Sequence, residues 1–208
     1  MNYSRCINTA LSSLLLLASF SLGAQDWVGK KHLSLGVAGV NSVYNYGTDE
    51  NVSHYGGGVH LSFSFEMFSF LEGGFLTSLE KWEGEHFIGT SVPNTLYDVS
   101  FNDTFNTRYN SRLYWNNNLF IAYNFNEYIG LRAGISVYDW YSNLYQAKRD
   151  NQVVYSYEHR YHHFFNNYSF SIYGQYEAFR AALFFRKAFD DDFIRTFGLR
   201  LTYRYSFD

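Results

Sequence analysis

The chain is short of the residues that build most covalent and catalytic scaffolds: 208 residues contain one cysteine, one proline and two methionines. The cysteine, Cys6, lies in an amino-terminal stretch that reads as an export signal, with Arg5 in a polar start, an apolar run from Ala10 to Leu22 and the small-residue exit Gly23-Ala24. Residues 1–24 are therefore set apart from the fold as a cleaved signal peptide, leaving residues 25–208 as one domain. That domain has no thiol for a disulfide or a thiolate site. The run from Ala10 to Leu22 is shorter than the roughly 20 apolar residues a spanning helix needs, and no later run approaches that length. Any membrane passage by residues 25–208 must then be made by strands.

Lysine is scarce as well, confined after residue 24 to Lys30, Lys31, Lys81, Lys148 and Lys187. Without Arg5 the basic residues number 15 (16 − 1) against 19 acidic ones, a net charge of −4. No basic stripe emerges, so nucleic acid is excluded as a partner. What the chain has in abundance is aromatic: 22% of residues, with 20 Tyr and 21 Phe. Such a composition biases strongly toward strand.

Period-two alternation recurs along the chain. Leu33, Leu35 and Val37 alternate with Ser34, Gly36 and Ala38. Val59, Leu61, Phe63 and Phe65 face away from His60, Ser62, Ser64 and Glu66. Leu71, Phe75 and Leu79 oppose Glu72, Leu76 and Glu80. Leu113, Trp115, Leu119 and Ile121 oppose Tyr114, Asn116, Asn118 and Phe120, with Asn117 interrupting. Ile129 to Val137 alternates around Gly130, Arg132, Gly134 and Ser136. Tyr168, Phe170 and Ile172 form a sixth segment with Asn166-Asn167 breaking the pattern upstream as a bulge would. Phe179 to Phe185 encloses Arg180, Ala182 and Phe184, and Phe197 to Phe207 encloses Gly198, Arg200, Thr202 and Arg204.

The connections alternate too. Polar ones at 41–56, 83–111 and 145–157, with a shorter acidic one at 188–192, alternate with tight ones at 66–69, 124–127 and 174–178. Eight segments with this asymmetry predict an all-β, eight-stranded antiparallel up-and-down transmembrane barrel, its long loops external and both termini periplasmic. Aromatic residues near the segment ends predict two interfacial girdles, Trp82, Trp115 and Trp140 on the loop side and Phe68, Phe125, Tyr128, Tyr176, Tyr205 and Phe207 on the turn side. Alternation alone also fits a soluble lipocalin-like barrel with the two faces exchanged. The mid-strand ionisable residues and the scarcity of lysine favour the membrane.

The pattern resembles the small outer-membrane barrels of the OmpX-like, OmpW-like and OmpA-barrel kinds. The last segment, Leu199, Leu201, Tyr203, Tyr205 and Phe207, resembles their aromatic-ended final strand, although Asp208 follows Phe207. The resemblance implies outer-membrane lipids and lipopolysaccharide as surroundings and recognition of the last strand by the barrel-insertion machinery. An OmpW-like conduit for hydrophobic solutes is a second implied function, and it requires an apolar cavity opening sideways.

An eight-stranded interior is just wide enough to be filled by side chains. Glu66, Glu72 and Glu80 are therefore expected to pair there with Arg132, Arg180, Arg186, Arg200 and Arg204, because a lone buried charge is costly. His60-Leu61-Ser62 resembles the His-x-Ser of PagL-type lipid A deacylases, which would make His60 a base, Ser62 a nucleophile and Glu72 the orienting carboxylate. That motif lies late and lipid-facing in the family, whereas here it lies early and on the polar face. Catalysis is therefore not expected. Glu158, His159, His162 and His163 resemble a metal set only on a helix; on a strand His159 and His163 lie roughly 13 Å apart. Asp190, Asp191 and Asp192 are candidate ligands for a divalent cation, with a solvated acidic turn as the simpler reading. No cofactor motif is present, and the expectation is a non-enzymatic surface barrel whose external loops carry its contacts.

Overall fold

The computed structural model describes residues 29–45, 51–94, 101–189 and 195–207. The signal segment and Asp190, Asp191 and Asp192 lie outside them. Among the described residues there are nine strands: β1 (Lys31–Asn45), β2 (Asn51–Phe68), β3 (Leu71–Asn94), β4 (Phe101–Asn124), β5 (Ile129–Arg149), β6 (Gln152–His163), β7 (Asn167–Tyr176), β8 (Phe179–Ala188) and β9 (Arg195–Phe207). All pairings are antiparallel, β1 pairs with β9, and β4 pairs with β5, so the sheet closes on itself.

The barrel has eight positions because β6 and β7 share one edge of β5. Residues 129–135 of β5 pair with β7, and residues 139–149 pair with β6. The sixth segment is thus split by Phe164–Asn166, where Phe165 adopts a φ of 51°. The break expected at Asn166-Asn167 is real, and its consequence is a hairpin that leaves the wall rather than a bulge within it.

The long connections at 83–111 and 145–157 are largely strand. β3 and β4 run 24 residues each and β5 runs 21, against 10 for β7 and β8. A tilted span needs about 9–11 residues. The surplus carries β3, β4, β5 and β6 beyond the barrel as a raised sheet on one side. Asp150 and Asn151, with φ of 50° and 67°, close β5 onto β6, as a two-residue type I′ turn requires. At the other end the turns are tight, and Glu177 takes a φ of 51° in the connection from β7 to β8.

Alternation decides which side chains meet inside. The apolar set points out: Leu35 is 62% and Leu183 63% exposed. The polar set points in, where Ser34, His60, Ser62, Ser64, Glu72, Ser78, Glu80, Asn116, Arg180, Arg186 and Arg200 are buried. One register shift matters for function. Asn117 pairs with Tyr138 and Asn118 with Ser136, so Val137 is an extra residue and the parity of β5 reverses beyond it. Asp139, Tyr141 and Tyr145 consequently face inward.

Candidate functional site: the filled lumen and its mouth

The interior is built in layers from the short-turn end upward. In the lowest layer Glu72 on β3 accepts from Ser64 at 2.6 Å, from Arg204 at 3.0 Å and from Arg180 at 3.4 Å. Arg180 also donates to Gln175 at 2.8 Å. Glu66 sits at the rim, 3.1 Å from His32 and 4.0 Å from Arg204.

In the middle layer the arginines are held differently from the expectation. Arg132 lies 4.0 Å over the Phe120 ring and Arg200 4.0 Å over the Phe184 ring. Neither has a carboxylate within salt-bridge distance among the described residues, so the expected pairing does not extend to these two. The ring quadrupole offers a guanidinium a favourable face, and a narrow lumen lets rings from β4 and β8 reach it. Among the described residues six inward arginines, Arg112, Arg132, Arg180, Arg186, Arg200 and Arg204, stand against Glu66, Glu72, Glu80 and Asp139.

The upper layer joins two carboxylates to their donors. Glu80 accepts two bonds from Arg186, at 3.1 and 2.6 Å, and one from Ser78 at 3.1 Å. Asp139 accepts from Asn116 at 2.5 Å, from Ser136 at 2.8 Å and from Asn167. Asn167 also donates to the Tyr114 hydroxyl at 2.8 Å. Asp139, Asn116, Asn167 and Tyr114 were not singled out by the sequence. The bulge at Val137 hides the inward parity of Asp139, and Asn167 reads there as a pattern break. Even parity on β4 is the signal that could have found Tyr114, Asn116 and Arg112 together.

Above this layer Trp82, Tyr114 and Tyr141 form a buried aromatic group with Arg112 stacked 4.4 Å over Tyr141 and 5.3 Å from Trp82. Trp82 was expected in the loop-side girdle and is instead 3% exposed inside the barrel. Its even position on β3 shares the inward parity of Glu72 and Glu80, and that parity outweighs its nearness to the strand end. Trp115 and Trp140 do point outward, paired across β4 and β5. Phe68, Phe125, Tyr128, Tyr176 and Tyr205 are exposed at the short-turn end, and Phe207 is half-buried beside Tyr205.

The His-x-Ser pair does not assemble a relay. His60 Nε2 lies 3.0 Å from Thr202 Oγ1, while Glu72 is taken by Ser64, Arg180 and Arg204. On β6, His159 stacks on Tyr161 with ring centroids 3.7 Å apart, and its Nδ1 lies 2.6 Å from the Tyr157 hydroxyl. His163 lies 3.4 Å from the Tyr141 hydroxyl. Glu158, on the opposite face, accepts from Ser142 and Arg160. Among the described residues no three His, Cys, Asp or Glu side chains converge as metal ligands.

A concavity of about 810 Å³ is a dent in the outer wall over Ala181 and Gly174, flanked by Leu35, Leu201 and Tyr203. A smaller cavity of about 30 Å³ lies at the raised-sheet mouth among Trp82, Arg112, Tyr114, Asn167 and Arg186.

No family model matches the sequence, and no curated protein matches it. Solved structures do. The chain is similar to Ail, the attachment invasion locus protein of Yersinia pestis, at 15% identity and a TM-score of 0.46 over 85% of this chain and 99% of that one. It is similar to Neisserial surface protein A at 9% identity and a TM-score of 0.44, over 86% and 100% of the two chains. The outer membrane protease OmpT of Escherichia coli is similar at 9% identity and a TM-score of 0.37, over 88% and 98%. Likeness of this size concerns barrel architecture alone.

Proposed function

We propose that the protein is a non-enzymatic outer-membrane barrel, with both chain ends on the periplasmic side, that makes contacts outside the cell through its raised sheet. The observation that carries this reading is the exchange of faces. Leu35, Val59, Ile121, Leu183 and Leu201 are exposed around the wall, while Glu72, Glu80, Arg180 and Arg186 are buried within it. Such an outer surface is stable only in hydrocarbon, and its polar interior is the opposite of a lipocalin-like soluble barrel. Aromatic residues at both ends of the belt suit the two membrane interfaces. Outer-leaflet lipid and lipopolysaccharide would surround it, and the ending of β9 in Tyr203, Tyr205 and Phe207 suits recognition by the insertion machinery.

The raised sheet supports external contact because, among the described residues, β6 is its last strand and pairs only with β5. An edge of this kind can accept an extended segment of a partner by strand addition. The conduit reading is less well supported, since the apolar concavity lies on the outer wall and the lumen is crossed by side chains.

Epitope insertion tests the reading. A tag between Asp150 and Asn151 is expected to be stained on intact cells, and one between Glu177 and Ala178 only after permeabilisation. Recovery in the soluble periplasmic fraction would refute it. Unchanged lipid A acylation on expression of the wild-type and Ser62→Ala proteins is the expected result for a non-enzyme, and deacylation by the wild type that S62A abolishes would overturn it.

A further inference from the structure

We infer that the cavity at the raised-sheet mouth of the lumen is a binding site for a compact monovalent anion, a free carboxylate group or a halide. The site goes beyond the proposed surface role and does not depend on which membrane holds the barrel.

Three observations converge on it. The cavity, about 30 Å³, exceeds the roughly 10–15 Å³ that a single bound water requires, and suits a guest of one to three heavy atoms. Its lining is rich in donors. Trp82 Nε1–H is buried with no hydrogen-bond partner among the described residues, although a buried indole N–H usually finds one. Arg112, Arg186 and Thr196 line the same space, and all three residues are buried. Guanidinium carries donors only, and its fork matches a carboxylate.

The third observation concerns the nearby carboxylates. Glu80 is occupied by Arg186 and Ser78, and Asp139 by Asn116, Ser136 and Asn167. Both lie in the layer below the cavity, and neither is among its lining residues. A negative guest would therefore meet the Trp82 N–H and the two guanidiniums from a low-dielectric enclosure, where charge-assisted bonds are strongest. The aromatic walls, Trp82, Tyr114 and Tyr141, exclude bulky or doubly charged guests by size and desolvation.

The indole N–H resonance of Trp82 reports the site directly. The full chain, refolded in detergent and labelled with ¹⁵N, is titrated with chloride and separately with formate, against gluconate at constant ionic strength; Trp82→Phe assigns the signal. The expected result is a saturable shift of this one indole resonance by chloride, by formate or by both, absent with gluconate. Response to formate alone identifies a carboxylate site, and response to chloride alone a halide site. Arg112→Gln should weaken the affinity by about tenfold or more, the loss of one charge-assisted bond. Ala188→Leu, which fills the cavity without touching a charge, should abolish the shift while the rest of the spectrum stays dispersed. No shift with either anion, an equal shift with gluconate, or a shift unchanged in A188L would overturn the proposal and leave an ordered water only.

Discussion

Glu80 and Arg186 meet across the diameter of the barrel, joined by two hydrogen bonds of 3.1 and 2.6 Å between side chains 106 residues apart in sequence. Three strand positions separate β3 from β8 in either direction around the closed sheet. A bond between opposite walls leaves no open bore at that level. Glu72 and Arg180 repeat the same crossing in the lowest layer.

Removing one partner leaves a buried charge uncompensated. Arg186→Met is expected to destabilise the barrel by about 3–5 kcal/mol, and Glu80→Leu combined with Arg186→Met by less than R186M alone. Urea unfolding from phospholipid vesicles measures both. A double variant no more stable than the single would show that the pair is not the principal interaction lost.

Close packing of the lumen makes a second prediction. A Cβ built at Gly198 would lie 2.4 Å from the Phe184 ring and 2.5 Å from the Gly39 carbonyl oxygen. Phe184 in turn supports Arg200. Gly198→Ala should therefore cost about 1–3 kcal/mol by overpacking. Stability within a few tenths of the parent would mean that the ring can move aside.

The outer belt can be tested by charge. Leu183→Arg, on the exposed apolar face, should cost about 2–4 kcal/mol if that position lies near the bilayer midplane. Lys187→Arg, four residues on toward the raised sheet, should be nearly neutral. Equal small effects at both positions in vesicles would argue against a hydrocarbon environment.

One pH response belongs to the raised sheet. The hydrogen bond from Arg160, then that from Ser142, holds the Glu158 carboxyl below its ordinary value. A depressed carboxylate favours the folded hairpin above its unfolded value, and that contribution is lost as pH falls through the folded one. The Glu158 side-chain carbon, followed by ¹³C NMR, should titrate below an ordinary glutamate, and Arg160→Gln should move its midpoint upward. An unmoved midpoint would show that the contact is not maintained in solution.

Several features were legible in the residues themselves. Strict period-two alternation placed Leu33, Leu35 and Val37 on one face and Ser34 on the other, and a two-residue period admits no second assignment without reversing every side chain. Connection lengths marked the short-turn end, because tight turns at Phe125–Tyr128 and Glu177-Ala178 leave no room for anything else. The inward ion set on β3 and β8 followed from the same parity.

Other features are not local. Val137 breaks the parity of β5 only because Asn117 and Asn118 on β4 fix its register, so Asp139 could be placed only once the two strands were paired. Trp82 has the residue type of an interfacial anchor and the parity of a lumen residue, and burial inside the barrel resolved the conflict. Arg132 and Arg200 resemble the other arginines in sequence; which of them meet a carboxylate and which an aromatic ring depends on the opposite wall. Composition and alternation determined that this chain makes a barrel with an apolar outside and a polar inside. Closure of the sheet alone decided who pairs across the lumen, because residues a hundred positions apart become neighbours only when the two edges join.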